Sequence, residues 1–369
     1  MTKRIPLAAA LCVLSLLAGC ARLLPKEIPA ATPDETLCLR FVQEKLTGED
    51  GGVHTNFLPG KPDGELAAGH EVLLESQGLL MRYCAHTGER AGFARALDFV
   101  REKLDSGAIL SYRLDGEGER YPVNAAVDDL RLLRALLEGE ERFGAKEYGE
   151  LARQYAGRLY DTNVREGLLL DFYDEGYGAP GRTVTLCYAD FETMRLLGKS
   201  DRRWEEAAGR MEQIVTGGFL GEGFPFFESR YLPDEGHYET DTIHMAEGLL
   251  TVLHLAEADA CPPGTLRWLR DTLRSGPVYG EYTPAGEPAV NFESTAVYAL
   301  CARIGYESGE EELAALAMER LAALQVGDES SPVCGGFADP QSLAAYSFDN
   351  LNALLAMRAQ AEWEAGAGE

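Results

Sequence analysis

The chain is poor in the features that announce a nucleic acid, a metal or a cofactor. Of its 369 residues only 34 are Lys or Arg against 60 Asp or Glu, for a formal net charge of −26. Such a surface repels phosphate backbones, and no basic groove interrupts it, so no nucleic-acid partner is expected. The eight cysteines show no C-x-x-C spacing, which removes the common zinc and dithiol frameworks. His237, Glu239, Asp241 and His244 crowd into HYETDTIH, but no companion ligand set stands elsewhere, and neither metal nor cofactor is expected. The glycine-rich GGFLGEG at 217–223 follows a helical pattern instead of a strand and lacks a following Lys-Ser or Lys-Thr; it reads as a turn, not a phosphate loop. There are three Trp, and Trp204, Trp268 and Trp363 all fall on outer or terminal segments. Past the first twenty residues no apolar run is long enough to cross a bilayer.

Those first residues have their own logic. Lys3 and Arg4 precede an apolar run from Ile5 to Leu17, and the run ends in Leu17-Ala18-Gly19-Cys20. This is the layout of a bacterial secretory signal whose end is similar to a lipobox, with Cys20 lipidated as the mature N-terminus. Residues 1–19 are read as signal, 20–35 as lipidated terminus and tether, 36–362 as one large domain and 363–369 as a tail. The expected location is the outer face of a cytoplasmic membrane or a periplasm, held by acyl chains on Cys20. Cys38, Cys84, Cys187, Cys261, Cys301 and Cys334 remain, several inside apolar helical runs; they read mostly as buried thiols, with one or two disulfides open in an oxidising compartment.

The domain reads as helix after helix. Apolar residues recur at three-to-four spacing near 36–46, 70–87, 90–105, 126–142, 146–160, 186–197, 202–216, 241–257, 263–274, 292–305, 309–325 and 348–362. Two kinds alternate. Segments such as EEELAALAMERLAALQ are amphipathic, whereas AEGLLTVLHLAEA and STAVYALCARIG are apolar nearly all round. Each of the second kind carries an acidic residue near its start: Glu75, Asp129, Asp190, Asp241, Glu293 and Asp349. One outer and one inner helix per period of roughly 50 to 60 residues is a helical-hairpin repeat. Six of them close into an (α/α)6 toroid, an all-α barrel, with the acidic starts gathered at one mouth. The connections at 111–122, 161–185, 217–240 and 276–290 should roof that mouth with short β-hairpins and loops.

Acidic residues in a first turn are most simply helix caps, worth roughly 0.3–1 kcal/mol each. Glu75 fits that less well, because GHEVLLESQGLL puts it a full turn inside an apolar helix. A buried carboxyl there is costly, and burial raises its pKa, as a proton donor requires. Asp241, nearer the rim beside Glu239 and His244, suits a carboxylate that activates water. Two carboxyls in contrasting environments are what glycosidic cleavage uses. Stacking platforms for sugars would come from Tyr83, Tyr121, Tyr188, Phe226, Phe227, Tyr231, Tyr282 and Tyr346.

At this point GHEVLLESQGLLMRY, VNAAVDDLRLLRALL, HYETDTIHMAEGLLTVLHLAE and YSFDNLNALLAM resemble the successive inner-helix motifs of glycoside hydrolase family 8, in particular its lipoprotein-like, exopolysaccharide-associated branch. The resemblance covers about residues 36–362. It implies an (α/α)6 barrel and hydrolysis with inversion. By motif, Glu75 would be the general acid and Asp241 the general base. Asp129 would place the sugar in the central subsite and hold water, although the VDDL pattern leaves the choice between Asp128 and Asp129 open. Asp128, Tyr188, Asp190, Glu239, His244 and Asp349 would contact substrate. The expected partner is a polysaccharide or oligosaccharide, with amino sugars tolerated better than uronic acids, and the expected state is a monomer. Two other readings stand beside it. One is another (α/α)6 carbohydrate enzyme, such as an unsaturated uronyl hydrolase or an epimerase. The other is a glycan-binding lipoprotein without turnover.

Overall fold

A computed structural model of the chain describes residue 24 and residues 27–60 and 67–366. The signal, Cys20 and most of the tether lie outside the described residues. Twelve α-helices follow one another: α1 (Pro33–Phe41), α2 (Leu74–Thr87), α3 (Arg90–Phe99), α4 (Ala126–Phe143), α5 (Lys146–Asn163) and α6 (Phe191–Gly198), then α7 (Arg202–Gly217), α8 (Met245–Glu257), α9 (Pro263–Ser275), α10 (Thr295–Glu307), α11 (Glu311–Ala323) and α12 (Ser347–Gly366). The even-numbered helices pack in a ring, α2 on α4, α4 on α6, α6 on α8, α8 on α10, α10 on α12, and α12 back on α2. The odd-numbered helices lie outside, α3 against α2, α5 against α4, α7 against α6 and α11 against α10. The expected (α/α)6 barrel is the fold.

The two kinds of sequence pattern sort as physics requires. In α10 every residue from Ala296 to Gly305 is buried, because the helix has neighbours on all sides. In α7 the buried set is Trp204, Ala207, Ala208, Met211, Ile214 and Val215, a single stripe at helical spacing. Gly305 lets inner and outer layers touch: a Cβ there would stand 2.6 Å from the Ala314 backbone nitrogen.

Inner helices begin later than the sequence pattern suggests. α2 starts at Leu74 instead of 70, α6 at Phe191 instead of 186, α8 at Met245 instead of 241 and α10 at Thr295 instead of 292. Before α6 the difference is a 3-10 turn, Leu186–Tyr188, and before α10 irregular backbone; before α2 and α8 it is filled by short extended segments. They belong to eleven strands: β1 (Val72–Leu73), β2 (Arg113–Leu114), β3 (Val164–Arg165), β4 (Leu168–Leu169), β5 (Tyr173–Asp174), β6 (Ala179–Pro180), β7 (Val184–Thr185), β8 (Arg230–Leu232), β9 (His237–Glu239), β10 (Ile243–His244) and β11 (Glu281–Tyr282). β1 pairs with β2, β10 with β11, and β7–β8–β9 form the one three-stranded sheet among the described residues. Two-residue strands of Val, Leu and Ile are indistinguishable from the first turn of an apolar helix by periodicity alone.

The domain boundaries also move. α1 begins at Pro33 with a capping box between Thr32 and Glu35, and α12 runs to Gly366. Glu35, expected in the tether, is fully buried. It pairs with Arg358 at 3.2 Å and accepts the Tyr83 hydroxyl at 2.9 Å, so the N-terminal helix is pinned to α12 and α2. Trp363 packs on Tyr306 at 5.9 Å instead of trailing in solvent.

All six described cysteines are free thiols, four of them buried. The end of the barrel away from the helix starts is filled by charge. Arg82 donates to both oxygens of Glu138, at 2.9 and 3.1 Å, Arg134 donates at 3.0 Å, and His86 bridges toward Glu362 at 2.8 Å. Burial alone would raise the Glu138 pKa; Arg82, His86 and Arg134 overwhelm it and hold the carboxyl well below its ordinary value.

Candidate active site

At the opposite end, the starts of α2, α4, α8 and α12 converge. Glu75 is the second residue of α2, not a full turn inside it, because Val72 and Leu73 are taken up by pairing with β2. One fifth of its side chain is exposed. The guanidinium of Arg131 lies between two carboxyls, donating to Glu75 at 3.1 Å and to Asp128 at 2.6 Å. Gly78 permits this approach, since a Cβ there would stand 3.2 Å from both Arg131 Cβ and the Leu132 nitrogen. One cation serves two acids. Burial raises the Glu75 pKa, Arg131 opposes it and Asp349 adds to it. Burial likewise pushes Asp128 up to about 7 against the pull of Arg131, with Glu75 adding. Both carboxyls are therefore held above their ordinary pKa.

Helix geometry points the two acids of VDDL in different directions. Successive residues point about 100° apart around a helix axis. Asp128 faces Glu75, while Asp129 turns into the wall, where Asn124 donates to it at 3.0 Å and Asn124 in turn joins Asn163. Only 4% of Asp129 is exposed, and burial and Asp128 raise its pKa well above the ordinary value. Through Asn124 and Asn163, Asp129 orders the α4–α5 wall.

The other expected residues divide. Tyr188 stands at the end of a 3-10 turn before α6, within the fields of Asp128, Asp171 and Arg131. Asp349 stands on α12, the ring neighbour of α2, and caps α10, accepting from the Ala296 nitrogen at 2.8 Å and from Ser294 at 3.3 Å. Asp190 is 5% exposed, and both its oxygens accept from Thr193, at 2.9 and 2.5 Å. Burial alone would raise its pKa, but His254, Arg134 and Thr193 together lower it. It is the N-cap of α6. Asp241 is exposed in a bend four residues before α8. Glu239 is exposed on β9 opposite Arg230, and His244 ends β10, 3.4 Å from Glu281. Glu293 accepts the Tyr298 hydroxyl. Among the described residues no three His, Cys, Asp or Glu gather to hold a metal ion.

Four expected stacking residues are core instead. Tyr83, Phe226, Phe227 and Tyr282 are each at most 3% exposed, and Phe226 and Tyr282 pack with Phe224 around Trp268. Their spacing could not separate a rim from a second layer of packing beneath it. Tyr346, just before α12, is exposed as expected, and Phe172 and Phe292 join it at 40% and 54%.

Sequence reasoning missed Arg131 and Asp171. Arg131 carried a signal, the i, i+3 spacing from Asp128. Asp171 carried another, a lone acid in GLLLDFY. It accepts from the Thr185 nitrogen at 2.5 Å and the Thr185 hydroxyl at 2.9 Å, and its own carbonyl accepts the first N–H of α4. Burial pushes its pKa up to about 6, with Thr185 opposing and Glu247 adding. Glu247 is an exposed residue in the first turn of α8.

No family model matches the chain. It is 27% identical over 323 residues to YdaJ of Bacillus subtilis (strain 168), a protein provisionally named as a lipoprotein, covering 86% of this chain and 85% of that one. Among solved structures it is similar to a novel α-amylase from Clostridium perfringens, with 29% identity, TM-score 0.83, and 89% of this chain and 97% of that one covered. PssZ from Listeria monocytogenes follows at 21% identity and TM-score 0.69, covering 90% and 97%. The endoglucanase Cel10 from Klebsiella pneumoniae, a family 8 glycosyl hydrolase, shares the fold at 15% identity and TM-score 0.63, covering 88% and 99%.

Proposed function

We propose that this chain, which is family 8-like in fold over nearly all of its described length, hydrolyses glycosidic bonds within an exported polysaccharide. The carrying observation is the Glu75–Arg131–Asp128 arrangement at the mouth of the ring, where burial keeps a proton on a partly exposed carboxyl pair. Glu75 is the proton donor to the leaving sugar. Asp128 shares Arg131 with it and faces the same space, so it holds the sugar ring at the bond to be cut. The motif places the water-activating role on Asp241, which is solvent-exposed. The reaction runs with inversion: acid and base stand on opposite faces of the sugar, which in such enzymes takes roughly 6.5–9.5 Å between carboxyls.

The rim supports a glycan over a small molecule. Phe172, Phe292 and Tyr346 are exposed beside the starts of α4, α10 and α12, and in the ring order α4 stands across from α10. Gly280 is part of this rim, since a Cβ there would fall 2.3 Å from the Phe292 ring. Exposed aromatic faces at opposite sides of an acidic mouth suit the apolar faces of successive sugars. The acidic lining favours neutral or amino sugars over uronic acids. The lipoprotein name of the Bacillus relative and the lipobox-like Cys20 support export and an acyl anchor. No helix of the described residues is long and apolar enough to cross a membrane.

The test is a panel of soluble starch, carboxymethylcellulose, mixed-linkage β-glucan, xylan and partly deacetylated poly-N-acetylglucosamine incubated with the purified chain. Reducing-end release and the anomer first formed, read by proton NMR, report activity and stereochemistry. Release of the retained anomer would reject inversion. Binding without cleavage of any polymer would favour the binding-lipoprotein reading.

A further inference from the structure

The residues just ahead of α1 are fastened to the end of the barrel away from the mouth. Pro29 offers its carbonyl to Arg358 of α12 at 3.0 Å. Ile28 rests on Gly88, the C-cap of α2, where a Cβ would stand 2.8 Å from its Cδ1. Leu24 is 4% exposed and joins the core, and its N–H reaches Glu141, in the last turn of α4, at 3.5 Å. The chain therefore enters the barrel on the Glu138 side, and α1 carries it toward the mouth, where His54 bridges to Val72 of β1.

Reach then sets a limit. Four Cα–Cα steps separate Cys20 from Leu24, at most about 14 Å of fully extended chain. The inner helices α2 and α4, of 14 and 18 residues, are about 21 and 27 Å long. With Leu24 in its place, acyl chains on Cys20 cannot enter a bilayer lying over the mouth. The surface on the anchored side agrees. Ile28 and Trp363 are 44% and 36% exposed there, beside Gly88 and Tyr306, and a half-exposed Trp suits the headgroup layer. Exposed charges in the nearby turns carry both signs, Glu89 and Arg90 after α2 and Lys146 after α4, so the acyl chains, not a basic patch, hold the contact. The inner-to-outer turns at this end run two to five residues, whereas the long loops all face the mouth.

We propose that the closed end, around Ile28, Gly88 and Trp363, is the surface that lies against a bilayer, and that the mouth opens away from the lipid by about the length of an inner helix. This rests on the acyl-anchor reading of Cys20 above and is independent of the reaction catalysed. A polymer then reaches Phe172, Phe292 and Tyr346 without passing between protein and membrane.

The test purifies the full acylated chain from membranes in a Cys261→Ser, Cys334→Ser background, in which every other described thiol is buried. The protein is added to phosphatidylcholine vesicles that carry a rhodamine-headgroup lipid as acceptor. One donor dye is attached at Lys146→Cys, in the turn after α4, or at Tyr177→Cys, 88% exposed at the tip of the β5–β6 hairpin. The expected result is energy transfer at least about twofold greater from position 146, since the two sites differ in height by the length of an inner helix. A Gly-Ser spacer of about 30 residues inserted after Arg22, with its ends roughly 30 Å apart, leaves the described contacts in place and should bring the two transfers together. Equal transfer from the two sites of the parent chain, or more from position 177, overturns the orientation and leaves the anchor reading standing. A spacer variant that keeps the parent's difference overturns the short link as its cause. If mass spectrometry of the N-terminal peptide finds no acyl group on Cys20, the anchor reading falls and the orientation with it.

Discussion

The two ends of this barrel are built from the same residue types and do opposite things. At the closed end one carboxylate, Glu138, receives Arg82, Arg134 and His86. At the mouth one guanidinium, Arg131, serves two carboxyls, Glu75 and Asp128. Both clusters are largely buried, so desolvation opposes charge at each. Cations outnumber the acid at the first, and Glu138 is held ionised. Acids outnumber the cation at the second, and a proton stays. The ratio of partners, not burial alone, separates a structural ion cluster from a proton donor.

The sharpest way to break this contrast is to remove one acid from each end. Glu75→Gln should reduce turnover by about 10²–10⁴-fold, the span of a lost general acid, which is about 3–5.5 kcal/mol of barrier. Its unfolding free energy should stay near the parent's, because a neutral amide beside Arg131 relieves a buried pair in which two acids compete. An activated leaving group such as a glycosyl fluoride, which needs no protonation, should recover much of the rate. A Glu75→Gln variant that lost stability and kept its rate would reverse the roles assigned to the two ends.

Glu138→Ala is the converse experiment. It leaves Arg82 and Arg134 buried without their shared acceptor, and breaking a buried pair in this way costs about 3–5 kcal/mol. Urea titration followed by circular dichroism should show that loss, while the fraction that remains folded retains the parent's kcat.

Acid titration should separate the ends with one protein. Asp128 and Glu75 have raised pKa values in the folded state, so the native chain binds their proton more tightly than the unfolded chain. That contribution is complete below the ordinary carboxylate range and is lost as pH rises from about 4 toward about 7. Glu138 is lowered, so its contribution is present above its ordinary value of 4.5 and lost as pH falls. Thermal midpoints measured from pH 4 to 7 should carry a downward slope from the mouth pair, added to that of Asp129 and Asp171, whose pKa values are also raised. Asp128→Asn, which can still accept from Arg131, should flatten it; an unchanged slope would place the proton elsewhere.

The contrast also explains what the sequence disclosed. The alternation of amphipathic and all-apolar helices needed only periodicity, and it led to the ring. Glu75 stood out because an acid in GHEVLLESQGLL has no simple surface role. The partners did not stand out, because Arg131 reaches Glu75 across a contact between helices 56 residues apart in sequence, made possible by a glycine whose closeness to α4 no local pattern records. The starts of α2 and α8 were misplaced because the two residues before each serve as a strand. That same error placed Asp241 on α8, whose first turn carries Glu247 instead. Aromatic spacing was silent on whether Phe226 and Tyr282 faced sugar or Trp268, since both arrangements put rings near the helix starts.

The smallest effect tests how far the mouth's excess of acid extends. Asp349 raises the Glu75 pKa through its charge while its Oδ1 caps α10. Asp349→Asn keeps an acceptor for the Ala296 nitrogen and removes the charge, so the cost in stability should be below the roughly 0.5–2 kcal/mol of a lost cap. With one of its raising influences gone, Glu75 should give up its proton at lower pH. The alkaline limb of kcat against pH should then move to lower pH, with kcat at the optimum little changed. Asp349→Ala should shift the limb equally and add the loss of the cap, lowering the urea midpoint. If Asp349→Asn leaves the limb in place, Asp349 is a cap alone, and the mouth's surplus of acid ends at Asp128.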